Sequence, residues 1–285
     1  MKAGVLITIL ILSFFLGYSQ TKDSTSAGKL VAPWWVEKFR LSAGFFESIT
    51  NTTIQVGLNG AANGTDINFQ KDLGLGANFS TFLTNFQWRI SRRSRVSLGY
   101  FNMKRSATHT LQKDITFDST TYPVNSSVNS YFNTAIYQFS YGYAIIEKPN
   151  YEVGLSVGAH TIGSKVGLSL NGSGGGLNAD NNFGFTAPLP DFGIWGGYAF
   201  SKRFAVNLDF SYLSLTVGNV SGQIIAYNLA FSYRLIPQLD LSLAYTGLNF
   251  DVKSTKKNVH GEFSWGYNGP TLVASFSFGG KSWTH

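Results

Sequence analysis

An all-β chain closed into an antiparallel, membrane-spanning barrel is the fold class that three features of this sequence predict. The first is alternation. Ile225, Tyr227, Leu229, Phe231, Tyr233 and Leu235 fall on one side of a strand, and Ala226, Asn228, Ala230, Ser232 and Arg234 on the other, because side chains alternate faces along an extended backbone. The second is composition: 24 Phe, 14 Tyr and 6 Trp accompany only 13% charged residues, about half the ~25% of ordinary soluble domains. The third is punctuation, with tight turns alternating with long polar connections. A soluble sandwich would bury its large apolar face. Here the opposite faces are too small and the aromatics too numerous, so the large face is assigned to lipid and the small one to the interior.

The elements follow in order. Lys2, the short apolar run Val5–Leu16 and the small residues around Ser19 read as a cleaved secretory signal over residues 1–19, with Gln20 first after the cut. The run is shorter than the ~20 residues of a spanning helix. Residues 20–38 form a polar lead ending in Ala32-Pro33-Trp34-Trp35, read as a periplasmic tether with an interfacial aromatic pair. Short turns are expected at Ser91–Ser94, Glu147–Asn150, Ser201–Arg203 and Ile236–Gln238, where Ser, Pro and Asn supply turn chemistry. Longer connections span roughly Leu58–Ala77, Gln112–Ser127, Asn171–Thr186, Val217–Gly222 and Ser254–Val259. The resulting ten strands lie near 39–57, 78–90, 95–111, 128–146, 151–170, 187–200, 204–216, 223–235, 239–253 and 260–278. Eight and twelve are the alternatives, because Leu41–Gly57 contains Asn51-Thr52-Thr53 and also reads as two strands, and the final loops also read as fewer. An even count brings both ends of the barrel to the periplasmic side and sends the long loops outside. The barrel domain covers 39–279, followed by a tail at 280–285.

On these residues the chain resembles the small outer-membrane β-barrels of Gram-negative bacteria, the broad OmpA- and OmpW-like group. The resemblance covers about residues 39–278. It rests on the signal, on the asymmetry of turns and loops, and on a closing strand Thr271–Phe278 whose Leu272, Ala274, Phe276 and Phe278 share one face. It implies location in the cell outer membrane and assembly by the barrel-insertion machinery, which reads a terminal aromatic. In this chain Gly279 to His285 follow that aromatic. The segment Phe69–Leu75 also resembles the stretch before the second strand of such barrels and carries no assigned activity.

The lipid face is expected to carry Phe82, Phe86, Trp88 and Ile90; Tyr137, Phe139, Tyr141, Tyr143 and Ile145; and Phe204, Val206, Leu208, Phe210 and Tyr212. The inner face is rich in small residues, among them Gly142, Gly154, Gly158, Gly193 and Gly197. Ten strands lined this way can leave a narrow water-filled space. The charges Glu47, Arg89, Asp209, Arg234 and Asp240 are assigned to the lumen, with Glu47 near Arg89, and Arg234 near both Asp209 and Asp240. Such charges need partners and either gate ions or hold the barrel shut. His160 is the luminal histidine. Asp180, Asp191, Lys256 and Lys257 are assigned to loops as contact residues.

Two functional readings follow: a narrow, porin-like passive channel for small solutes or ions, or a closed structural or partner-binding barrel acting through its extracellular loops. Catalysis is not expected. The same-face serines flanking His160, Ser156 and Ser164, lie about 13 Å away along the strand, and His109 and His260 show no partner in the sequence. The four isolated histidines and absent cysteines give no metal-ligand spacing, and no cofactor is implied. The formal charge of +7 sits at turns and in one late loop, which suits outer-membrane lipid and lipopolysaccharide rather than nucleic acid.

Overall fold

The computed structural model describes residues 32–58, 66–117, 120–170, 180–256 and 259–280. The expected signal, the first part of the expected tether and all of the expected 280–285 tail but Gly280 lie outside the described residues. The strands are β1 (Phe39–Leu58), β2 (Ile67–Asn68), β3 (Asn78–Arg89), β4 (Ser94–Thr110), β5 (Ile115–Phe117), β6 (Thr120–Tyr122), β7 (Ser127–Glu147), β8 (Tyr151–Leu170), β9 (Asp180–Ala199), β10 (Phe204–Val217), β11 (Val220–Ile236), β12 (Leu239–Lys256) and β13 (Val259–Phe278). Ten of them form the wall in the order β13-β12-β11-β10-β9-β8-β7-β4-β3-β1. β13 then pairs with β1 from Phe39 opposite Phe278 to Leu58 opposite Val259. Every wall pairing is antiparallel, and the ring closes on itself through β13 and β1, as lipid demands of a spanning sheet. No described helix is long and apolar enough to cross a membrane, so the crossing falls to the strands.

The expected strands are present, and most run further outward than their composition suggested. β9 begins at Asp180 rather than near 187, and the 217–222 connection contracts to a turn at Gly218-Asn219. Gly218 takes a left-handed φ of 59° there, which glycine adopts without steric cost. Polar composition marked these stretches as loops, but continuing a ladder satisfies backbone groups that a loop would have to solvate.

Two interruptions shape the wall. β3 starts only at Asn78, opposite Ile49, while β1 and β4 both continue outward. The segment 66–77 fills that gap, pairing briefly with β1 through Ile67 and Asn68. On the other side, β9 pairs with β10 only as far as Phe192 opposite Tyr212. Pro188 and Pro190 lie beyond that point, bonded to β8 alone. Proline lacks the amide needed by a strand with two neighbours, so both sit where one neighbour is missing.

The outer surface carries the predicted apolar belt. Leu243 on β12 faces Phe231 on β11 and Leu272 on β13. Leu272 in turn faces Phe45, which faces Phe82. All five are exposed, in a row that only hydrocarbon would cover favourably. The outward stripes expected on β3, β7 and β10 point out as assigned.

Candidate functional site: a polar chamber between two seals

The inner mouth, where the short turns and strand ends gather, is sealed by aromatic rings and ion pairs. Trp34 and Trp35 meet edge to face with centroids 5.6 Å apart. Both are buried and pack with Val36 against Ala199 and Ala205. The interfacial placement expected for this pair is therefore corrected: both rings turn into the mouth. Gly197 explains how they fit, since a Cβ there would lie 2.7 Å from the Trp35 ring. Above them Trp195 projects inward from β9. A Cβ on Gly154 would come within 2.5 Å of the Trp195 ring, and one on Gly142 within 2.8 Å of its Nε1. These inner glycines thus make room for indoles rather than for water.

Charge completes this seal. Arg89 is 0% exposed and donates from Nη1 and Nη2 to the two carboxylate oxygens of Glu152, at 3.2 and 2.6 Å. Arg92 adds a third bond to Glu152 at 2.8 Å. The Arg95 guanidinium lies 3.6 Å from the Trp195 ring centroid and pairs with Asp209 at 2.8 Å. Buried charges of this kind persist only when paired and hydrogen-bonded. In the adjoining turn, the Arg93 guanidinium is held above its ordinary pKa by the Glu147 carboxylate, which ties the β3–β4 turn to the end of β7.

The outer half of the lumen is filled with an apolar core. Phe132, Phe250, Phe263 and Trp265 point inward from the wall, and the inserted segment contributes Ile67, Phe69, Leu73 and Leu75. Phe69 meets Phe132 at 5.3 Å. Arg105 latches the segment across the gap in the wall, donating to the Gly76 carbonyl and to Thr52 Oγ1, both at 2.9 Å. Gly74 turns with φ 68°, and a Cβ there would meet the His109 ring at 2.9 Å. His109 therefore faces the inserted segment. The β5–β6 hairpin closes over the top, with the Tyr122 hydroxyl donating to the Leu168 carbonyl at 3.0 Å.

Between the seals lies a chamber of about 330 Å³. Its walls are polar: Ser97, Asn85, Gln138, Ser140, Asn207, Asn228, Thr246 and Thr271 among them. Its floor includes Trp35 and Trp195, and Phe101 and Tyr267 stand toward its roof. His160 Nδ1 lies 2.8 Å from Asp191 Oδ2, with both side chains buried. Asp191 is opposite Gly158 on β8, which leaves it diagonal to His160. The nearby Ser164 hydroxyl is bonded to Thr134 at 2.9 Å, outside any Ser–His arrangement.

The sequence-predicted residues divide as follows. Arg89, Asp209, Asp240 and His160 face the lumen as expected, but several partners differ. Glu47 is corrected: it shares parity with Leu41, Phe45 and Ile49 and faces outward, accepting a hydrogen bond from Ser80. Asp209 pairs with Arg95 rather than Arg234. Arg234 is opposite Asp240 in register, yet Asp240 pairs with Arg40 at 2.7 Å. Arg234 donates instead to the Pro237 carbonyl at 2.9 Å and stands 5.7 Å from the Trp34 ring centroid. Asp191 is corrected from a loop contact to a buried strand residue. Asp180 opens β9 and Lys256 ends β12, their side chains being outside the described residues, as is all of Lys257.

Residues missed by sequence reading include Arg40, Arg92, Arg95, Glu152 and Trp195. Glu152 lies one step before Gly154, Ser156 and Gly158 on the same face, and Trp195 stands between Gly193 and Gly197, so parity alone would have found both.

No protein-family model and no curated protein sequence matches the chain. Among solved structures, it is similar to the outer-membrane protease OmpT from Escherichia coli, at 12% identity over 84% of this chain and 97% of that one, with a TM-score of 0.48. It is similar to Ail, the attachment invasion locus protein of Yersinia pestis, at 10% identity over 83% and 99% of the two chains, with a TM-score of 0.34. The Ralstonia pickettii toluene transporter TbuX gives 12% identity over 86% and 90%, with a TM-score of 0.36. Likeness at this level carries no function, and the ten-stranded barrel rests on its own ladders.

Proposed function

We propose that this chain is an outer-membrane β-barrel with a closed lumen, which acts structurally or by contacting a partner at its outer end rather than as an open passage. The observation that carries this reading is the continuous apolar core across the outer half of the lumen, from Phe69 through Phe132 to Trp265 and Phe250. Rings in contact across the lumen oppose a continuous water path, and the Trp34–Trp35 seal would stop solutes again at the inner mouth. The outer-membrane assignment is supported by the exposed apolar belt, the even strand count and the gathering of strand ends with the short turns. The test is conductance of the refolded chain, residues 20–285, in a planar bilayer. A silent membrane containing a heat-modifiable barrel is expected. Discrete, salt-dependent steps would overturn the closed-barrel reading in favour of a narrow channel.

A further inference from the structure

An outward-facing groove of about 480 Å³ crosses four adjacent strands, β4, β7, β8 and β9. Its floor is the backbone at Ala135, Gly163 and Gly184, where small side chains leave the sheet bare. Two registered rows of outward residues form its sides. The inner row runs Asn102, Ala135, Gly163, Thr186, and the outer row Lys104, Asn133, Lys165, Gly184. Below the groove stand the exposed rings of Tyr100 and Tyr137, 5.1 Å apart, and Asn102 donates to the Tyr100 hydroxyl at 3.1 Å. Going outward, the surface therefore passes from aromatic rings to amides and then to paired cations. That is the order of environments at a membrane boundary: aromatic side chains settle at headgroup level, and cations just beyond meet phosphate.

Lys104 and Lys165 are exposed, and neither has a carboxylate partner in an ion pair among the described residues. They stand two strand spacings apart, about 10 Å, on either side of Asn133. At that backbone spacing both flexible ammonium groups can reach a single anionic group lying over Asn133.

We infer that this groove binds the phosphorylated sugar headgroup of an outer-leaflet glycolipid, with the lysines on phosphate and the Asn102, Asn133 and Thr186 side chains on sugar hydroxyl or amide groups. The groove lies on the long-strand side of the belt, which faces outward if the short turns are periplasmic; the inference rests on that orientation and on the membrane reading above. A sugar-based headgroup is favoured over a glycerol phospholipid because it can use the three polar side chains together with both cations.

The test is native mass spectrometry of the refolded chain in neutral detergent, with diphosphorylated lipid A, dephosphorylated lipid A and phosphatidylglycerol as separate probes. One lipid A should be retained in preference to both other probes. Lys104→Gln with Lys165→Gln should lower retention on the order of tenfold or more, while Lys104→Arg with Lys165→Arg keeps it. Gly163→Val supplies a variant with intact charge. A Cβ there meets only ordinary contacts, at 3.8 and 3.9 Å, so the side chain should fill the groove without displacing the sheet, and retention should fall. Equal retention by the wild-type chain and both the glutamine and valine variants, or no preference for lipid A over phosphatidylglycerol, would overturn the proposal. Heat-shifted gel migration checks folding of each variant. A wild-type chain that forms no heat-modifiable barrel overturns the membrane reading itself, and this inference with it.

Discussion

Glu152 accepts hydrogen bonds from two arginines in a site closed to bulk water, so the cost of losing it is asymmetric. Glu152→Ala leaves the buried Arg89 without a carboxylate and Arg92 with only its longer contact to Glu147 at 3.8 Å, whereas Arg89→Ala leaves Glu152 still bonded to Arg92. Breaking a buried pair costs about 3–5 kcal/mol. Glu152→Ala is expected near the upper end and Arg89→Ala near the lower, read from urea unfolding of the refolded barrel. Glycine positions divide as sharply. Gly154→Val would drive a side chain into the Trp195 ring, which a Cβ already approaches to 2.5 Å, and should prevent refolding to the heat-modifiable form. Gly163→Val meets only ordinary contacts at 3.8 and 3.9 Å and should refold normally. Both residues read simply as small, strand-borne glycines in the sequence. Parity along β8 puts them on opposite faces, and only the closed sheet shows that the Tyr143 carbonyl and the Trp195 indole fill the space at Gly154.

At the scale of elements, the inner seal and the outer core are separate barriers. The chain has no cysteine, so a single thiol placed at Ser97 on the chamber wall reports access cleanly. The Ser97→Cys protein should resist a charged thiol reagent supplied from the short-turn side. Adding Trp34→Ala and Trp35→Ala should make it reactive while leaving the bilayer silent, because the outer core is untouched. Rapid labelling with both tryptophans in place would show that the mouth is not sealed. These seals were the least legible elements. Besides wall residues, they draw on the lead 32–36, the connection 66–77 and the pair β5 and β6. Alternation gives no direction to segments outside a ladder, so nothing local says that they fold into the lumen. Asp191 was assigned to a loop although the strand expected from 187 contains it, and Pro188 and Pro190 are tolerated beside it because β10 stops pairing at Phe192.

For the whole molecule, the belt around the barrel sets the solvent. Leu243 is 64% exposed at the centre of a row of apolar side chains. Leu243→Arg should destabilise the barrel in lipid by about 2–4 kcal/mol. The same change should cost much less in a detergent that lets water reach the side chain. An equal, small cost in both media would argue that this face is not embedded. Glu47 sits on the same outward face and is tolerated by bonding to Ser80. Its parity with Phe45 was readable, but its charge drew it to the lumen in the sequence reading. Parity along the strand outweighed that preference because a one-residue shift would have turned Phe45 and Ile49 inward as well.

The sequence by itself determined the barrel class, the outward aromatic stripes and the end at which the short turns gather, while ten wall strands stood beside eight and twelve. These depend on a period of two and on turn chemistry, both written within a few residues. Tertiary structure alone decided whether the lumen is open and which charges meet. Glu152 with Arg89 and Arg92, Asp209 with Arg95, Asp240 with Arg40, and His160 with Asp191 join residues 31 to 200 positions apart. Closing the ring brings them together across the lumen or along neighbouring strands, and the space each side chain finds depends on which glycine stands opposite. That information belongs to the closed sheet, because no single strand holds both the ring and the gap it fills.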